Sequence, residues 1–196
     1  MDRVFLIGRD EIPQHIRLGE AGELHWTFVA LPGTSADVKL EVDLCAEGIS
    51  LDLAGLYLCR ADERLRLDIT VRHLSGGCIS RQLFKGIVGG KAHAAFDGLI
   101  YVKKDAQKTK AYQENHTILL SDTATIDTRP QLEIYADDVE CSHGATTGFL
   151  NADEEFYMRS RGIPRDEARR LQMISFLSPV LSRLDENMAQ GIMATL

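Results

Sequence analysis

The most regular feature of this chain is a two-residue alternation. Val38, Leu40, Val42 and Leu44 alternate with Lys39, Glu41 and Asp43. Leu65, Leu67, Ile69 and Val71 alternate with Arg66, Asp68, Thr70 and Arg72. Successive side chains of a strand point to opposite faces, so each run predicts a strand with one buried face. Shorter apolar runs predict further strands over residues 24–31, 49–53, 56–60, 79–88, 99–102, 117–120 and 132–135. Between them lie Pro32-Gly33, Gly48, Gly55, Gly76-Gly77, Gly89-Gly90 and Asp97-Gly98, all with turn chemistry. Asp97-Gly98 in particular has the residue types that close a two-residue hairpin.

Near residue 150 the period changes from two to about 3.6. Asn151 or Asp153 can cap a helix over residues 154–161, and Gly162 supplies its stop. Pro164, Asp166 and Glu167 open a second helix. Met173, Leu177, Val180 and Leu184 form one stripe on it, widened by Ile174 and Leu181. Pro179 predicts a kink or break near Ser178. Residues 185–196 read as a third short helix, weakened by Gly191. The expected organisation is a β body over residues 1–150 and a helical segment over 151–196. The helical stripe either packs on the β body or docks another protein. Pattern alone does not choose between a sandwich, the default for such a chain, and a parallel β-helix, which many short strands at even spacing also suit.

Composition narrows the class. The 196 residues are 44% hydrophobic and 26% charged, as in one globular domain rather than a disordered chain. Lys plus Arg number 22 against 29 Asp plus Glu, for a net charge of −7. That balance argues against a nucleic-acid or anionic-membrane partner, since both need a basic footprint. No apolar run reaches the length of a membrane span, and the opening run from Val4 to Ile7 is too short for a signal peptide. The expectation is a cytoplasmic protein. Cys45, Cys59, Cys78 and Cys141 contain no C-x-x-C pair and read as small hydrophobes, not as a disulfide framework. Phosphate-binding, metalloprotease and hydrolase signatures are missing, so those classes lack support.

Cys141 and His143 stand two residues apart. On an extended segment they share one face, and a thiolate beside an imidazole suits iron, zinc or copper. Two donors do not close a metal site, so the remainder must come from elsewhere in the chain or from a partner. His73, His93 and His116 have no carboxylate at ligand spacing and read as structural. Lys103, Lys104, Lys108 and Lys110 read as a solvated basic loop. Asp137 and Asp138 are the carboxylates a β-helical carbohydrate-active enzyme would use. As neighbours on a strand they would point oppositely, a poor acid–base pair.

A long ordered series of motifs then points to a family. Ser80-Arg81-Gln82-Leu83-Phe84-Lys85-Gly86 leads to Phe96-Asp97-Gly98-Leu99-Ile100-Tyr101-Val102, then Asp105-Ala106-Gln107-Lys108-Thr109-Lys110-Ala111-Tyr112-Gln113 and Leu119-Leu120-Ser121. The run from Pro130 through Cys141-Ser142-His143-Gly144-Ala145-Thr146 and the segment Phe156-Tyr157-Met158-Arg159-Ser160-Arg161-Gly162-Ile163 complete it. Over residues 65–185 the chain resembles the SufB/SufD family of iron–sulfur cluster assembly proteins. Within it, Cys-Ser-His-Gly-Ala-Thr looks like the SufD branch, since SufB typically has Glu where Gly144 stands.

The resemblance implies a right-handed parallel β-helix with a small C-terminal helical tail, in which Asp97-Gly98 joins successive strands without closing a hairpin. It implies a non-enzymatic scaffold or accessory subunit that pairs with a SufB-like subunit and binds a SufC-type ATPase. The ATPase docking site would lie on the tail, at Phe156, Tyr157, Met173, Leu177 and Leu181. Cys141 and His143 would contribute to a transient iron–sulfur cluster at a subunit interface, none being held stably by this chain alone. His116 falls in the neighbourhood of the SufB acceptor cysteine. With no SufB present, a homodimer is expected; a structural homodimer without a cluster role is the competing reading. Family members carry a helical domain ahead of this core, whereas strands begin almost at once here. That departure implies a short homologue or a fragment, with residues 1–31 as the candidate cap of the first rung.

Overall fold

The structure, a computed structural model, describes residues 2–196; Met1, at the head of the expected β body and cap, lies outside them. The described residues form eleven strands followed by three helices. The strands are β1 (Asp2–Leu6), β2 (His15–Leu18), β3 (Gly22–Ala30), β4 (Ala36–Leu44), β5 (Ile49–Cys59), β6 (Arg64–His73), β7 (Ile79–Val88), β8 (His93–Val102), β9 (Lys110–Leu119), β10 (Thr125–Ile134) and β11 (Glu140–Gly148). The helices are α1 (Ala152–Ser160), α2 (Arg165–Leu181) and α3 (Glu186–Ala194).

Odd-numbered strands stack in the order β1-β3-β5-β7-β9-β11, and even-numbered strands in the order β10-β8-β6-β4-β2. Every pairing between them is parallel. The chain therefore winds as a β-helix, each turn adding one strand to each of two facing sheets. Ser50, Ile79, Lys110 and Glu140 fall in one vertical column, as do Ala36, Leu65, Ala94 and Ile126. The default sandwich is corrected: among the described residues no strand pair is antiparallel, because turns of the solenoid return each strand above its predecessor.

The two sheets differ in what lies outside them, and this explains why some strands alternate and others do not. The outer face of the even sheet meets water and carries charge ladders. Arg72 Nε donates to Asp43 at 2.5 Å and Arg72 Nη2 to Glu41 at 3.1 Å, while Asp97 pairs with Arg66 and Arg129. Over β3, β5 and β7 the outer face of the odd sheet is covered by the helices. Val29, Ala54, Leu56, Leu58 and Ile87 pack there against Met173, Leu177, Val180, Leu181 and Ile192. A strand buried on both faces loses its alternation, so β5 reads as a nearly continuous apolar run.

Two glycines expected at turns, Gly55 and Gly98, instead sit inside strands, as does Gly86 in the strand expected over residues 79–88. Gly55 lies in mid β5 over the ring of Phe84, where a Cβ would come within 2.4 Å of Cδ1. Gly98 lies in mid β8, where a Cβ would meet Gln113 Oε1 at 2.3 Å. Gly86 in β7 is filled by Tyr57. Asp97-Gly98 therefore neither closes a hairpin nor joins strands. Its glycine yields interior space, and its aspartate faces the outer charge ladder.

At the first rung, Phe5, Trp26 and Phe28 form an aromatic cluster, with Phe5 stacked on Phe28 at 5.3 Å and edge-on to Trp26 at 4.8 Å. At the other end, the Asn151 carboxamide accepts from the Asp153 and Glu154 N–H groups and caps α1. Helix α2 runs unbroken past Pro179, correcting the expected break at Ser178. The Ser178 hydroxyl donates to the Ser175 carbonyl at 2.8 Å, the acceptor that the missing N–H of Pro179 leaves over, and the helix ends within a turn.

Candidate functional site

The last rung, β10 and β11, ends both sheets. Strand β11 has almost no apolar alternation, and its place is set by pairing with β9: Cys141 beside Ala111, His143 beside Gln113, Ala145 beside Asn115. Ala111, Gln113 and Asn115 are buried inside the solenoid. Cys141 and His143 therefore continue inner columns into the terminal rung, where no further rung covers them among the described residues. On the outer face, Lys110 Nζ and the Tyr112 hydroxyl donate to Glu140 at 3.1 and 2.8 Å and tie the start of β11 to β9. The Tyr112 and Lys110 contacts hold the Glu140 carboxyl below its ordinary range.

Cys141 is half-buried, packed in a cluster with Leu132, Val139, Ala111 and Ala136. Burial pushes its thiol above the ordinary cysteine value, so at neutral pH it holds its proton. A metal bound there must displace that proton, which makes such binding weaken as pH falls. His143 is exposed at the open end. The pair is thus a softly buried thiol beside an accessible imidazole, on one face and one strand.

The interior behind this pair is polar, which sequence reasoning did not anticipate. Gln113 Nε2 donates to Gln82 Oε1 at 2.9 Å in the column that continues to His143. The Tyr57 hydroxyl donates to Asn115 Oδ1 at 3.1 Å and meets Thr117 Oγ1 at 2.7 Å, and Asn115 Nδ2 donates to Thr128 Oγ1 at 2.8 Å. In the first rungs the equivalent space holds Phe5, Phe28, Leu40 and Leu53. The signal in the sequence is weak, because Lys110 to His116 is polar on both strand faces.

His116 is not brought to the pair. It sits on the outer face of β9, with Nδ1 against Thr146 Oγ1 at 2.7 Å and Nε2 against Glu114 at 3.1 Å. Asp137 and Asp138 lie in the β10–β11 loop, with Asp138 engaged by Lys108. Among the described residues, no three His, Cys, Asp or Glu side chains converge as a metal site. The expected docking set divides. Phe156 and Tyr157 are 74% and 64% exposed on α1, whereas Met173, Leu177 and Leu181 are buried against the odd sheet. The apolar stripe of α2 is thus a seam to the β body, which corrects its assignment as a free docking face. No described helix is long and apolar enough to cross a membrane.

A family model described as the SufBD core domain of the SUF system for FeS cluster assembly matches residues 12–176. The chain is 45% identical over 125 residues to the iron-sulfur cluster assembly protein SufD of Escherichia coli, a match covering 63% of this chain and 30% of that protein. It is 30% identical over 178 residues to an iron-sulfur cluster assembly SufBD family protein of Mycobacterium tuberculosis, covering 87% of this chain and 45% of that protein. It is 27% identical over 166 residues to SufD of Bacillus subtilis, covering 85% and 38%. The chain thus spans less than half the length of each of these relatives.

Proposed function

Given that this chain belongs to the SufBD core family, we propose that it is a SufD-like, non-enzymatic subunit of an iron–sulfur cluster assembly complex, paired with a SufB-like scaffold and served by a SufC-type ATPase. One observation supports this reading above others. Cys141 and His143 stand side by side on the inner face of β11, a strand whose far edge is unpaired among the described residues. An open strand edge is a template for a strand of another chain. Such pairing carries the two donors to a subunit boundary, where a second chain supplies the ligands that one chain lacks. The cluster is cargo in this scheme, formed and passed on.

Exposed Phe156 and Tyr157 on α1 are the part of the helical tail left for an ATPase to grip. With no scaffold subunit present, the same edge of β11 pairs with a second copy, giving a homodimer. The test is co-expression with the scaffold and the ATPase, co-purification, and assay of iron and acid-labile sulfide. His143→Ala should lower cluster formation severalfold while the complex still assembles. A mutant complex that builds clusters at the normal rate removes His143 from the chemistry, and a strictly monomeric isolated chain removes the homodimer.

A further inference from the structure

The column Gln82–Gln113–His143 carries the buried polar interior up to the terminal pair. Gln113 is fully buried. Its Nε2 is committed to Gln82 in the rung behind, while its Oε1 is buried with no hydrogen-bond partner. A planar amide carries its oxygen and nitrogen on diverging bonds, so an amide that donates to one rung turns its carbonyl toward the next. The residue beside Gln113 in that next rung is His143.

Pro130, the neighbour of Gly98 in the next rung of the even sheet, has no N–H to offer the carbonyl, and Gln82 Nε2, also buried without a partner, belongs to the rung behind. Gly98 itself is the slot that holds the amide, since a Cβ there would lie 2.3 to 2.5 Å from Oε1, Cδ and Nε2. A buried carbonyl left unpaired is costly, and an imidazole N–H one rung away relieves it.

We propose that Gln113 is the positioning residue of His143. Its Oε1 accepts from one ring N–H of His143, which fixes the neutral tautomer and leaves the other nitrogen bare toward the open end. Metal-ligating histidines are commonly oriented in this way, by a carbonyl on the nitrogen that does not bind metal. The functional meaning rests on the reading that His143 donates to a cluster, whereas the contact itself does not.

The test is long-range nitrogen–proton NMR on the full chain with labelled histidine, the His143 signal being the one lost in His143→Ala. Wild-type His143 should show one neutral tautomer in about tenfold excess, the factor an ordinary net hydrogen bond sets. Gln113→Leu should abolish the excess, and Gln113→Glu, which keeps an acceptor, should restore it. The wild-type measurement stands even where a variant fails to fold. A wild-type His143 that averages between tautomers overturns the proposal, as does a Gln113→Leu spectrum identical to wild type. A single tautomer together with normal assembly in His143→Ala would uphold the contact and remove the cluster reading. An averaged tautomer with impaired assembly in His143→Ala would do the reverse.

Discussion

The ring of Tyr57 occupies the space that a side chain at position 86 would fill. A Cβ on Gly86 would lie 1.9 Å from Tyr57 Cε2. Because Gly86 stands between Tyr57 and Thr117 in one column, its bareness lets the Tyr57 hydroxyl pass a whole rung and reach Thr117 and Asn115. Burial in turn raises the pKa of the phenol, so it stays a neutral donor.

Gly86→Ala should therefore destabilise the fold by about 3 kcal/mol, as overpacking of a close-packed interior does. Urea unfolding measures it. Tyr57→Leu in the same background should recover part of the loss, because the clash goes with the ring. A neutral Gly86→Ala would refute the packing.

Stability should fall with acid through one imidazole. His73 is fully buried, its Nε2 at 2.9 Å from Ser80 Oγ, and burial lowers its pKa from 6.5 to about 4. Its folded pKa lies below its unfolded one, so its contribution is complete above pH 6.5 and is lost as pH falls toward 4. The loss amounts to about 3 kcal/mol at the bottom of that window. Asp43, whose carboxyl is held low by Arg72 and His15 against the opposing effect of burial, adds its own loss at still lower pH. His73→Gln should flatten the curve between pH 6.5 and 4.5; an unchanged slope would assign it to other groups.

The helical tail should separate stability from binding. Leu177 is fully buried against the odd sheet, and Leu177→Ala should cost about 3 kcal/mol. Phe156→Asp and Tyr157→Asp lie on an exposed face and should change stability by less than about 0.5 kcal/mol. The same two changes should abolish ATPase co-purification. ATPase binding that survives both would move the docking site off α1.

Thiol reactivity should follow burial. Cys59 is wholly buried and its thiol is pushed up to about 12, so it should resist iodoacetamide in the native state. Cys141, only half-buried at the open end, should react sooner than Cys59. Mass spectrometry of partly alkylated protein gives the order, and equal rates would mean that the last rung opens as freely as the core.

The sequence by itself determined the strands whose outer face meets water. Residues 38–44 and 65–71 alternate because one face is dry and the other turns Lys39, Arg66 and Arg72 toward solvent. It also determined the break near residue 150, the Asn151 cap and the two-residue spacing of Cys141 and His143. The motif series named the family, and with it the β-helix that alternation alone does not separate from a sandwich. Tertiary structure decided the rest. Strand β5 loses its alternation because helices from residues 165–194 cover it, a contact no local window contains. Gly55 and Gly98 look like turns until the next rung and the facing sheet deliver Phe84 and Gln113 into their space. Strand β11, with few apolar residues, exists because β9 offers it a hydrogen-bonded edge. His143 and Gln113 are neighbours only because one turn of the solenoid returns the chain to the same column, so their relation depends on winding, which sequence spacing does not display.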